Sequence, residues 1–233
     1  MSKTSHTEIV FIACKVFESM LTAEQQTDLF DRVSFLDYGL HRVPEQLTHA
    51  VQEAIDEIKV PSLIVLGYGL CGNGLKGIQS RNHTLLIPRT DDCIAILLGS
   101  YKSYLKNFSQ EPGTYYLTKG WLEAGSDPLK EYHEVREKYG EKDAEWIMDT
   151  QYQHYKRLVL VAHQEHELEE YRPRAQEVAD FCSRWEMEYQ EILGSDRYLA
   201  RLLETAAALD KADDDFLVIP PGNEIKQEMF IRC

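Results

Sequence analysis

The sequence is short of positive charge. Its 25 lysines and arginines stand against 39 aspartates and glutamates, which leaves a net charge of −14 at neutral pH. An acidic surface of that size repels phosphate backbones, and no local basic patch offsets it, so nucleic acid is not expected as a partner. Long hydrophobic runs are missing as well. No stretch reaches the roughly 20 apolar residues that span a bilayer, and Met1 to Thr7 is polar, with no apolar signal core. A cytoplasmic protein without a membrane partner is expected. Cysteine is scarce: five residues, and no CxxC pair among them. In a reducing compartment such residues read as free thiols or metal ligands rather than disulfides. Nucleotide signatures are absent too. The stretch GYGLCGNG carries neither the lysine of a phosphate loop nor a GxGxxG that opens a helix.

What is present is an alternation of strands and helices. With 233 residues, 43% hydrophobic and 27% charged, the chain can bury the core of one α/β domain. Short apolar runs predict strands at 8–13, 33–38, 63–66, 84–87, 157–162, 188–193 and 216–219. Thr22 and Gln25 form a capping box for a helix from Ala23. Behind Pro44, the positions Leu47, Val51, Ala54, Ile55 and Ile58 make one apolar helical face. Further helices are predicted over 94–104 and 174–185 and after Ser195. This pattern predicts a mostly parallel, doubly wound three-layer α/β sandwich, residues 1–233 as a single domain. The aromatic and helical segment 112–155 breaks the alternation and reads as an insertion or lid.

In an open parallel sheet, ligands bind beyond the carboxyl ends of the strands. Cys14 follows the first predicted strand, His41 the second and Cys71 the third, while Arg89, Asp92 and Cys93 follow the fourth. Three cysteines and a histidine at four successive strand exits form a soft-ligand set suited to zinc. The three cysteines alone suit an iron–sulfur cluster with one open iron, which leaves His41 to act on a substrate. The competing reading is plain packing, because cysteine is among the most buried residues. Gly69 and Gly72 let the backbone approach a ligand closely, and Gly72 with Gly74 would open a short helix from Leu75. The N–H groups of that helix would favour an anion or a Cys71 thiolate. Cys71 also reads as a nucleophile at a strand-to-helix elbow, with His41 or His163 as its base. Arg89 offers a bidentate grip on an anionic substrate, and Asp92 an orienting partner for a ligand histidine.

The elements IAC, LH before Pro44-Glu45, YGLCGNG, IPRTDDC, LLGS, GTYYLTKGW and FLVIPPG together resemble the domain-of-unknown-function 1638 family, over nearly the whole chain. The resemblance implies roles for Cys14, His41, Cys71, Arg89, Asp92 and Cys93. Two positions depart from the family pattern: Lys15 stands where glycine often follows the first cysteine, and Asp91 where histidine often precedes the Asp-Cys pair. The family is found in anaerobes and methanogens, often beside corrinoid-dependent methyltransferases. It therefore implies a metal-binding protein of one-carbon metabolism, with corrinoid entering by association only. The partner is then a small molecule or a corrinoid methyltransferase system. Catalysis, and non-catalytic carriage of a metal or cofactor, both fit that setting.

Overall fold

The computed structural model describes residues 7–21 and 28–232. The helix expected from Ala23 falls largely outside the described residues, as does Cys233. The chain forms two compact units, residues 1–96 with 196–233 and residues 97–195. The α/β class and the dominance of parallel pairing hold in both.

The first unit is built on five strands: β1 (Glu8–Cys14), β2 (Arg32–Leu36), β3 (Ser62–Gly67), β4 (Thr84–Pro88) and β8 (Phe216–Ile219), in the order β2-β1-β3-β4-β8. The first four run parallel, and β8 closes the edge antiparallel to β4. β3 is buried along its whole length, as its unbroken LIVL run requires. Between β2 and β3 lies helix α1 (Pro44–Asp56), which begins on its proline and buries Leu47, Val51 and Ile55 completely. The strand order reverses between β1 and β3. Connections therefore leave the two strands in opposite directions, and a crevice opens at their carboxyl ends.

The second unit holds a parallel sheet in the order β5 (Thr114–Thr118), β6 (Arg157–Ala162) and β7 (Glu188–Leu193). Its core gathers Leu117, Tyr152, Leu158, Leu160, Val178 and Cys182. The segment 112–155 lies in this unit and supplies β5 and three helices, Lys119–Glu123, Pro128–Tyr139 and Glu141–Tyr152. Thr118 ends β5 by accepting a hydrogen bond from Trp121 N, and the chain turns helical from Lys119. The helix expected from Arg174 begins earlier, at Glu165, and carries Pro173 inside it.

Candidate functional site

The register of the first sheet brings the strand exits together. Ala13 on β1 pairs with Gly67 on β3, so Cys14 and Tyr68 leave the sheet side by side. A Cβ on Gly67 would stand 2.5 Å from Ala13 Cβ, and only hydrogen fits there. The loops after β3 and β4 then meet backbone to backbone. A Cβ on Gly69 would lie 2.7–2.8 Å from the main chain of Asp92. Leu70 N donates to Thr90 O at 2.9 Å and Cys71 N to Asp91 O at 2.8 Å. This stitching sets the sulfurs of Cys71 and Cys93 3.5 Å apart.

The expected helix from Leu75 does not form. Residues 71–77 are a run of turns, and the first three, Cys71, Gly72 and Asn73, all adopt left-handed backbone with φ of 48°, 63° and 73°. Two of the three are not glycine, so the turn holds backbone strain, typically about 1 kcal/mol or more per such residue. Contacts on both sides hold it. Gly74 N donates to Cys71 O, Thr48 Oγ1 donates to Gly74 O at 2.9 Å, and a Cβ on Gly74 would strike Leu47 of α1 at 2.5 Å. The helix N-terminus that was to favour a thiolate or an anion is therefore not part of the site. Beyond the turn a groove of about 810 Å³ lies open, bordered by Pro44, Thr48, Gln52, Gly72 and Asn73.

Cys14, Cys71, Cys93 and Cys182 are free thiols. Cys14 and Cys71 are each 8% exposed, and Cys93 is partly buried. Burial pushes the Cys14 thiol well up, and the neighbouring Cys93 adds to the shift, while the Val16 N–H opposes it. Cys93 is raised by its hydrogen bond with Cys71 and by burial, while the Gly69 N–H favours its thiolate. Two of the three sulfurs thus have a backbone N–H in place to receive negative charge. Without a cation they stay protonated. A bound metal ion reverses that balance, because it deprotonates a thiol outright.

Tyr68 directly follows Gly67, the last residue of β3. It is buried, and its hydroxyl has no hydrogen-bond partner. Burial raises its pKa first, and then Cys14, Cys93 and Cys71 in turn, with a smaller push from Asp37. Sequence reasoning did not single this residue out. The signal was a large aromatic between Gly67 and Gly69, a place where a side chain is kept while its neighbours are stripped.

The other candidates are placed differently. His41 lies on the 3₁₀ turn Tyr38–Arg42, and its Nδ1 is 2.6 Å from Tyr38 O. A carbonyl can only accept, so the proton sits on Nδ1 and the lone pair on Nε2. Burial lowers its pKa, which keeps the ring neutral. Even so, no group of three His, Cys, Asp or Glu side chains stands within one coordination sphere among the described residues. Arg89 is committed elsewhere. Its Nε donates to Met229 O, one terminal nitrogen to Asp214 and the other to Ile231 O, so it pins the closing segment of the chain. Asp92 accepts from Ile94 N at 2.9 Å and starts the short helix Ile94–Leu97. Gly72 supplies left-handed backbone, with Pro44 the nearest neighbour to a would-be Cβ at 3.9 Å. His163 belongs to the second unit, where its backbone N–H donates to Glu167.

No helix among the described residues is long and apolar enough to cross a membrane. A family model described as "Protein of unknown function (DUF1638)" matches residues 35–203, which include His41, Cys71, Arg89, Asp92 and Cys93. Neither a curated protein nor a solved structure matches.

Proposed function

The chain belongs to the DUF1638 family, and for it we propose a soft-metal site in which Cys14, Cys71 and Cys93 are the protein ligands, with zinc as the ion. One observation carries this reading: the sulfurs of Cys71 and Cys93 lie 3.5 Å apart at the carboxyl end of the sheet, the end at which Cys14 also closes β1. Thiolates about 2.3 Å from a tetrahedral zinc ion lie roughly 3.8 Å from one another. The Cys71 and Cys93 sulfurs, at 3.5 Å, are close to that spacing before any metal binds. The same spacing favours a single ion over a [4Fe–4S] cluster, whose thiolates sit on separate irons and so stand further apart.

Three protein ligands leave a fourth position for water or a substrate, the arrangement of catalytic rather than structural zinc. An ion held so lowers the pKa of what it binds and can activate it as a nucleophile. His41 is left outside the resident set as a neighbouring imidazole whose Nδ1–H is held by Tyr38 O. The one-carbon and corrinoid setting rests on the family resemblance alone.

The test is elemental analysis of protein purified without oxygen, alongside the Cys14→Ser, Cys71→Ser and Cys93→Ser variants. About one metal ion per chain is expected in the parent, with loss in each variant. Unchanged metal content in all three variants would sink the reading.

A further inference from the structure

Two thiols held side by side have a chemistry of their own. The Cys71 and Cys93 sulfurs are 3.5 Å apart. An S–S bond is about 2.05 Å long, so a closure of roughly 1.5 Å separates this dithiol from a disulfide. The loops that carry the two residues are joined by main-chain contacts just before each cysteine. Leu70 N donates to Thr90 O and Cys71 N to Asp91 O, and residue 69 has room only for hydrogen beside Asp92. Both thiols are free. The backbone is unusual at the same point. Cys71 opens a run of three left-handed residues, and neither it nor Asn73 is glycine. Strain of this kind gathers at switch regions, where it persists only because the surroundings impose it.

We infer that Cys71 and Cys93 form a reversible disulfide, which makes this end of the sheet a two-electron redox site that exchanges with small disulfides. The inference goes beyond the metal reading and does not rest on it, because it concerns the two sulfurs in the metal-free chain. Cys93 is the more exposed of the two, so it attacks first. Its S–H proton goes to solvent, and its sulfur bonds to one half of the small disulfide. The other half leaves as a thiolate and takes up a proton. The Cys71 sulfur then attacks the Cys93 sulfur, loses its own proton and expels the second half in the same way. Net, one S–S bond breaks and one forms. Two electrons pass from the protein pair to the small disulfide, which is reduced to two thiols. Excess thiol runs both steps backwards. Asp91 and Asp92 stand directly before Cys93, so an uncharged disulfide is a better partner than an anionic one.

The experiment holds the full chain, with a chelator present, in mixtures of 2-mercaptoethanol and its uncharged disulfide. Remaining thiols are then blocked and the protein is digested with trypsin. Cys71 falls on the peptide of residues 60–76 and Cys93 on that of residues 90–102. Mass spectrometry should find these two peptides joined, lighter by two hydrogens, and parted again by excess thiol. The thiol and disulfide concentrations at half-conversion give the effective concentration of the pair. It should be at least about tenfold higher in the folded chain than in guanidinium, where flexible chain joins two cysteines 22 positions apart. Cys71→Ser should halt the exchange at a mixed disulfide on Cys93. Mixed disulfides in place of the joined peptides overturn the inference. So does a link from Cys14 instead, or an equal effective concentration in folded and unfolded chains. A Cys71→Ser protein with no adduct on Cys93 overturns the order of attack. Metal content, read by elemental analysis, is independent of all these outcomes, so the two readings fail separately.

Discussion

The sulfurs of Cys71 and Cys93 lie 3.5 Å apart across 22 residues of sequence, and it is the absence of a side chain at Gly69 that lets them do so. The β3 and β4 exits touch through main-chain atoms of residues 69 and 92. A single methyl group at 69 would meet the Asp92 carbonyl carbon, Cα and oxygen at 2.7–2.8 Å. Backbone cannot yield as a flexible side chain can, so the two loops must separate. Gly69→Ala should therefore cost about 2 kcal/mol or more in stability. It should also lower metal content, because the paired sulfurs move apart. Chemical denaturation and elemental analysis on the same preparation check both outcomes.

Gly72 tests the turn without touching the packing. Its φ is +63°, and a Cβ there would find its nearest neighbour at 3.9 Å, so the cost of Gly72→Ala is backbone strain alone, about 1 kcal/mol. Asn73, at φ +73°, allows the converse test. Asn73→Gly should relieve strain and raise stability by a few tenths of a kcal/mol, since asparagine tolerates this region better than most residues. Denaturant midpoints of opposite sign in the two variants are the expected result. A shift of the same sign in both would argue against strain at the turn.

Arg89 separates an anchoring role from a ligand-binding one. Its side chain is 19% exposed, and its partner Asp214 is 79% exposed, so that ion pair contributes little. The bonds to Met229 O and Ile231 O hold the closing segment, and losing them leaves two carbonyls without their donor. Arg89→Ala should lower stability by about 1–3 kcal/mol while metal content stays at the parent level. Loss of metal without loss of stability would return Arg89 to the site.

These relationships also show how far the sequence could be read. The apolar runs at β1, β3 and β6 and the Pro44 helix were plain, because burial on both faces or on one stripe writes itself into spacing. The rule that strand exits carry chemistry put Cys14, Cys71 and Cys93 on one sheet edge with no motif to help, and the fold sets the sulfurs of two of them, Cys71 and Cys93, side by side. Failures came where tertiary contacts override local preference. Gly72 and Gly74 looked like a helix start, yet Thr48 and Leu47 of the neighbouring helix hold a left-handed turn. Arg89 looked available because nothing at position 89 reveals that Met229 and Ile231, some 140 residues on, will use it. Tyr68 was missed because an aromatic beside a strand reads as core until its hydroxyl is seen to lack a partner.

Cys182 gives a prediction that is independent of metal. It is wholly buried in the core of the second unit, and burial, with a smaller effect of Asp127, pushes its thiol up to about 12. In the unfolded chain the thiol ionises near its ordinary value. Below that pH both states hold the proton, and the group's contribution to stability is fully present. As pH rises past 9 the unfolded state loses the proton and the folded state keeps it, so the unfolded state gains free energy. The loss of stability continues until about pH 12, where the folded thiol ionises too. At about pH 10.5 the effect is at most about 2 kcal/mol, the equivalent of 1.5 pH units. Metal-free protein should therefore show an unfolding midpoint that falls as pH rises above 9. Cys182→Ala should start from lower stability, because it leaves a small cavity, but its midpoint should fall less steeply over the same range. Parallel slopes in parent and variant would show that Cys182 does not titrate differently on unfolding.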